Sequence, residues 1–175
     1  MLISSPIIAS AKEPSKQTAY SFEFTSIEGQ PLPMKSFNGK AVLLVNTASR
    51  CGFTRQYDDL QAVWERYRDL GLVVLGVPSN NFGNQKPGTE SQIKSFCEVN
   101  FDVDFPMTSK VSVKGKDAHP FYRWAAQQLG SNARPRWNFH KYLVDANGSL
   151  VAAFPSAVKP QSSELTKAVD AALAR

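Results

Sequence analysis

The sequence is poor in the residues that build metal cages and membrane spans. Its 175 residues hold two cysteines, Cys51 and Cys97, and two histidines, His119 and His140. There is no C-x-x-C, and neither histidine stands at ligand spacing from a cysteine, so no metal or bound cofactor is expected. No apolar run approaches the roughly 20 residues that cross a bilayer, which excludes stable membrane insertion. The formal net charge is +5, but its 20 Lys and Arg are interleaved with 15 Asp and Glu. Without a basic run or basic helix, nucleic acid is excluded as a partner. The stretch Gly83 to Gly88 lacks the Gly-Lys-Ser/Thr ending of a phosphate-binding loop. Repeats and linker-like segments are absent too, and the length suits one domain with a full core rather than two.

The first eleven residues, MLISSPIIASA, end in Ala9-Ser10-Ala11, the form of an export cleavage signal. They lack a basic start, and Ser4, Ser5 and Pro6 break the apolar part. A tail at residues 1–19, either plain or a vestigial signal, is expected ahead of a domain at 20–175. The compartment, cytoplasmic or exported to a periplasm, stays open.

The domain reads as α/β. Tyr20 to Phe24 alternates aromatic and polar residues, as a half-buried strand does. Ala41 to Asn46 and Leu72 to Val77 are continuous apolar runs, suited to strands covered on both faces. Between them, Tyr57, Leu60, Val63, Trp64, Tyr67 and Leu70 recur at helical steps up to Gly71. This strand–helix–strand order predicts a parallel pair. Thr89 and Gln92 form a capping box for a helix carrying Ile93, Phe96, Cys97 and Asn100 on one face. Pro120 to Leu129 is a helix opened by its proline. Phe139 to Asp145 and Leu150 to Phe154 flank an Asn147-Gly148 hairpin turn. Ser163 to Leu173 closes the chain as a helix, giving a mixed sheet, parallel in the middle and antiparallel at its end.

Two cysteines permit a structural disulfide, two unrelated buried thiols, or a working redox pair. Cys51 lies just past the first buried strand, where the long helix starts. Helix N-termini favour anions, and the thiolate is the nucleophilic form of a cysteine. Burial in a core is the bland alternative for such a residue.

The words around Cys51 weigh on that choice. Asn46-Thr47-Ala48-Ser49-Arg50-Cys51-Gly52-Phe53-Thr54 resembles the nucleophile segment of the glutathione peroxidase family. Asn80 to Gly88 is similar to its second motif, and Trp137 to Val144 to its third, in the family's order. The resemblance implies a thioredoxin-like fold, with a central mixed sheet flanked by helices. It implies Cys51 as the peroxidatic nucleophile, standing where some members carry selenocysteine, with Trp137 and Asn138 beside it. An indole N–H and an amide stabilise a thiolate or a departing oxygen without adding charge.

One position departs from the family pattern. Asn81 stands where the second motif normally has a catalytic Gln; its amide is one methylene shorter, so a direct contact with sulfur is lost or bridged by water. Gln85 matches the motif's other Gln and is not assigned the missing role. The region around Cys97 resembles the place where thioredoxin-dependent members hold a resolving cysteine, which condenses with the sulfenic acid formed at Cys51. The implied partners are hydroperoxides, hydrogen peroxide and organic or lipid species alike, and a reducing co-substrate, thioredoxin-like protein or glutathione. The short connection from Leu129 to Trp137 resembles the monomeric branch. Two rivals stay open: a thiol–disulfide oxidoreductase, against which Thr54 fills the C-x-x-C position, and a non-catalytic module with a Cys51–Cys97 bridge.

Overall fold

The computed structural model describes residues 16–85 and 87–175; the candidate export signal lies outside them. Ala19 is already buried, and its N–H donates to the Gly148 carbonyl at 2.8 Å. The Tyr20 hydroxyl likewise donates to Ala146 at 2.6 Å. Tethered in this way, Ala19–Ser21 winds into a 3-10 turn rather than the expected strand. The aromatic alternation survives further on: Phe22 and Phe24 are buried. Glu23–Thr25 (β1) then pairs antiparallel with Pro31–Pro33 (β2).

The continuous apolar runs form Ala41–Thr47 (β3) and, after the helix Gln56–Tyr67 (α1), Leu72–Pro78 (β4). The helix tightens to a 3-10 turn over Arg68–Leu70 and stops at Gly71, whose φ of 101° only glycine adopts without strain. Next come Glu90–Phe101 (α2), with the capping box at Thr89 formed as predicted, and Pro120–Leu129 (α3). Lys141–Val144 (β5), Leu150–Phe154 (β6) and Ser163–Leu173 (α4) complete the chain.

The main sheet has the order β4-β3-β5-β6. β3 and β4 run parallel, while β5 and β6 are antiparallel to their neighbours. The parallel pair therefore forms one side of the sheet, not its middle. β4 still reads as an interior strand because residues 105–108 cover its free side, where Gly76 hydrogen-bonds with Pro106 and Thr108.

Successive residues of β3 serve opposite faces. Leu43 and Val45 join Tyr57, Leu60, Ile93, Cys97, Leu165 and Val169, from α1, α2 and α4. Val42 and Leu44 join Phe121 and Trp124 of α3 and Phe24 of the hairpin. Each such side chain contributes roughly 1.5–3 kcal/mol on burial. That two-sided demand is why the run carries no polar residue before Asn46.

Two further details correct the sequence reading. β5 begins at Lys141 because Phe139 takes φ 63° to bring its N–H onto the Asn46 carbonyl at 2.6 Å. Asn100 is exposed, its amide donating to Phe96 one turn back, so it is not part of the buried face of α2.

Candidate active site

Topology gathers the three sequence motifs at one end of the sheet. β3 and β4 are parallel, so the segments following both emerge together; β5 is antiparallel, so the segment preceding it arrives at the same end. Cys51, Gln85 and Asn138 belong to those three segments.

Cys51 is half-buried, a free thiol, and sits in a run of turns ahead of α1, which begins only at Gln56. The macrodipole fades within a turn of a helix end, so the sulfur's surroundings are set by local donors more than by α1. Thr54 is the immediate one. Its hydroxyl oxygen accepts the Cys51 N–H at 3.0 Å, and its single proton faces both the Ala48 carbonyl at 3.2 Å and the Cys51 sulfur at 3.7 Å. The residue that fills the C-x-x-C position is thus a hydrogen-bond donor to the nucleophile candidate.

Gln85 joins the three motifs. Its backbone carbonyl accepts the N–H groups of Ser49 at 2.8 Å and Arg50 at 3.1 Å, next to Cys51. Its side-chain oxygen accepts Asn138 Nδ2 at 2.8 Å. Asn138 is fully buried, and its own Oδ1 has no partner among the described residues. Asn46 supplies the second brace: its Nδ2 donates to the Trp137 carbonyl at 3.1 Å, while its backbone bonds to Phe139 and His140. Trp137 remains 39% exposed, its ring 5.8 Å from that of Phe82. Trp137 and Asn138 are therefore held in place from behind, and neither hydrogen-bonds to the Cys51 sulfur, whose donor is Thr54.

Asn81 is turned to a structural task. Its Oδ1 accepts the Val113 N–H at 2.6 Å and the Ser79 hydroxyl at 2.9 Å, pinning the loop after β4 to residue 113. The shorter amide leaves only its Nδ2 to face a substrate. Sequence reasoning set Gln85 aside and gave Asn46 no role; a buried Asn or Gln inside a motif was the available signal, since such groups need partners.

Cys97 is fully buried on α2, in the same cluster against which Cys51 packs. Tyr57 lies with them. Its hydroxyl bonds the Cys97 thiol, and burial first, then that thiol, holds its pKa far above the ordinary phenol value. It stays a neutral donor.

Beside Trp137 opens a cleft of about 690 Å³, lined by Phe53, Leu129, Arg134, Arg136, His140 and Pro155 among others. Burial pushes the His140 imidazole down to about 4, so it is neutral at physiological pH. Among the described residues no group of His, Cys, Asp and Glu is placed to hold a metal.

The profile of the glutathione peroxidase family matches residues 19–126. The chain is 45% identical over 156 residues to the glutathione peroxidase-like peroxiredoxin GPX5 of Chlamydomonas reinhardtii, covering 87% of this chain and 96% of that one. It is 43% identical over 154 residues to the hydroperoxy fatty acid reductase gpx1 of Synechocystis, covering 83% and 91%. The crystal structure of Trgpx in its apo form superposes with a TM-score of 0.74 at 31% identity, over 92% of this chain and 98% of that chain. With the motifs, their assembly at one end of the sheet and these relatives agreeing, the chain is a peroxidase on a thioredoxin-like fold and belongs to the glutathione peroxidase family.

Proposed function

We propose that this protein reduces hydroperoxides with Cys51 as nucleophile, resolves the product with Cys97, and draws electrons from a dithiol protein of the thioredoxin type. The observation that carries the reading is the Gln85 bridge, which ties the backbone beside Cys51 to the buried amide of Asn138. The Cys51 thiolate attacks one peroxide oxygen, the O–O bond breaks, and the other oxygen leaves as alcohol or water after taking a proton. Trp137 and Asn138 offer N–H donors for that departing oxygen, and Thr54 for the sulfur. Asn81 is assigned a lesser part, through its Nδ2 alone.

The sulfenic acid formed at Cys51 then condenses with the Cys97 thiol, releasing water and forming a disulfide. A disulfide needs Cα atoms within about 7 Å, and Cys97 is held inside α2. That helix is suited to local opening: only Ile93 and Cys97 along it are fully buried, and segments with few buried contacts open first. One equivalent of peroxide followed by mass spectrometry should find a Cys51–Cys97 linkage. A Cys97 that stays free, with glutathione caught on Cys51 instead, would overturn the resolving role and make glutathione the reductant.

Organic and lipid hydroperoxides fit the mainly apolar cleft beside Trp137, and the Synechocystis relative is named for hydroperoxy fatty acids. Turnover of a phospholipid hydroperoxide is the expected result; its absence, with hydrogen peroxide consumed normally, removes lipids from the substrate list. The short connection before Trp137 supports a monomer. Among the described residues no helix is long and apolar enough to cross a membrane.

Gln85 acts as a positioning residue. Gln85→Ala strands the Asn138 amide and is expected to lower kcat/KM by about tenfold to a hundredfold, the scale of a misplaced catalytic group. Gln85→Glu keeps an acceptor and should recover most of the loss. Equal losses in both variants would show that Gln85 acts only in folding.

A further inference from the structure

The cleft beside Trp137 has an uneven lining. It is apolar at Phe53, Leu129, Ala153 and Pro155, and cationic at Arg134 and Arg136. Among the described residues no carboxylate lines it. Four large apolar side chains are exposed among the described residues, and two of them, Leu129 and Trp137, meet in this cleft. Apolar side chains left open to water together in a concavity, rather than scattered singly, mark a place where a ligand covers them. Phe53 stands two residues after Cys51, and Trp137 directly before Asn138. The cleft is thus joined to the candidate active site.

The cationic part is built into the fold. Residues 133–137 are fixed at both ends: the Tyr142 hydroxyl donates to the Ala133 carbonyl at 2.6 Å, and Asn46 Nδ2 to the Trp137 carbonyl at 3.1 Å. Between these anchors Pro135 is buried, while Arg134 and Arg136 on either side of it are exposed. Among the described residues neither arginine has a carboxylate within the 4.0 Å of an ion pair. Arg136 donates to the neutral side-chain oxygen of Asn132 at 3.5 Å, which leaves its charge unmatched. Two such guanidiniums beside an apolar lining suit a ligand with an anionic head and an apolar body. The planar guanidinium pairs a carboxylate through two N–H groups. At about 690 Å³ the cleft is of the size that takes one small-molecule ligand, a single acyl chain rather than the two of a phospholipid.

We propose that this cleft selects free fatty acid hydroperoxides, with the carboxylate on Arg134 and Arg136 and the acyl chain along Phe53, Leu129 and Pro155. Arg134 and Arg136 then determine specificity, because an esterified chain lacks the charge they recognise. Turnover of such a substrate rests on the reading of Cys51 as nucleophile; binding of the chain does not.

The test compares linoleic acid hydroperoxide with its methyl ester, which differ in the charged head alone, on the full-length protein and below micellar concentrations. A KM about three- to tenfold lower for the acid is expected, with similar kcat, as suits an exposed charge-assisted pair. The advantage should shrink as salt rises, since exposed charges are screened. Arg134→Gln/Arg136→Gln should bring the two KM values together, and Arg134→Lys/Arg136→Lys should restore part of the gap. Equal KM values for acid and ester in the parent, or an acid preference that survives the double Gln variant, overturn the proposal. Binding is scored separately by titrating the isotopically labelled protein with unoxidised linoleate and with methyl linoleate. Saturable amide shifts over residues 129–137, reached at several-fold lower concentration with the acid, are expected. A protein that binds linoleate in this way yet consumes no hydroperoxide loses the Cys51 reading and keeps the cleft assignment. A protein that consumes hydrogen peroxide but takes up acid and ester alike loses the cleft assignment alone.

Discussion

Replacing Cys51 by serine is expected to lower hydroperoxide consumption at least about a thousandfold, the scale on which removal of a nucleophile acts. The substitution keeps the shape of the site. Thr54 can still accept the residue 51 N–H and donate to residue 51's side chain, so the fold should change little. What disappears is the chemistry. A serine hydroxyl is scarcely ionised near neutrality, and its oxygen has no counterpart of the sulfenic state that stores the two electrons lost to peroxide. Peroxide consumption followed directly, alongside thermal unfolding of both proteins, separates the two effects. A variant that unfolds like the parent and still consumes peroxide at the parent rate would remove Cys51 from the mechanism altogether.

Lys141→Met is expected to weaken folding by roughly 2–4 kcal/mol at neutral pH, the range for uncoupling a buried polar network. Lys141 opens β5 with its whole side chain buried. Its ammonium donates to Gln56 Oε1 at 2.6 Å, to the Ser156 carbonyl at 3.2 Å and to the Val158 carbonyl. These bonds tie the start of α1 to the loop between β6 and α4. Methionine fills the space but leaves three acceptors without a donor.

The same lysine makes stability depend on pH. Burial first, against a weaker opposing pull from Asp59, lowers its pKa from 10.5 to about 7. Between those values the unfolded chain keeps a proton that the folded chain has released, so stability rises with pH across that window. Below it both states are protonated, and the burial penalty is felt in full. The effect is on the order of 1.4 kcal/mol for each unit by which the two values differ. Urea unfolding of the parent and of Lys141→Met, each at pH 7 and pH 10, isolates this residue from tyrosines and cysteines common to both. Parallel behaviour of the two proteins would show that Lys141 titrates alike in the folded and unfolded chain.

Elements whose pattern depends on local order were legible in the chain itself. β3 and β4 were visible as apolar runs because both their faces are covered. The Thr89 capping box, the proline-led α3 and the Asn147-Gly148 turn were visible because their bonds close within a few residues. Elements bounded by distant contacts were misread. Ala19–Ser21 leaves the strand path because Ala19 and Tyr20 bond to the turn near residue 148, and β5 starts late because Phe139 bends toward Asn46. The candidate site divides the same way. Cys51, Trp137 and Asn138 were marked by their motifs, while the tasks of Gln85 and Asn46 were hidden.

By itself, the order of residues determined which sulfur is the nucleophile candidate, which family the motifs resemble, and where the main helices and strands lie. These follow from residue identity and from spacing within one or two turns of chain. Only the tertiary structure decided that Gln85 joins the three motifs, that Asn81 is spent on residue 113, and that Cys97 lies buried beside Tyr57. Each of those depends on hydrogen bonds or packing between segments 30 or more residues apart. Such contacts carry no local periodicity, and they exist only once parallel and antiparallel pairing has brought the strand ends together.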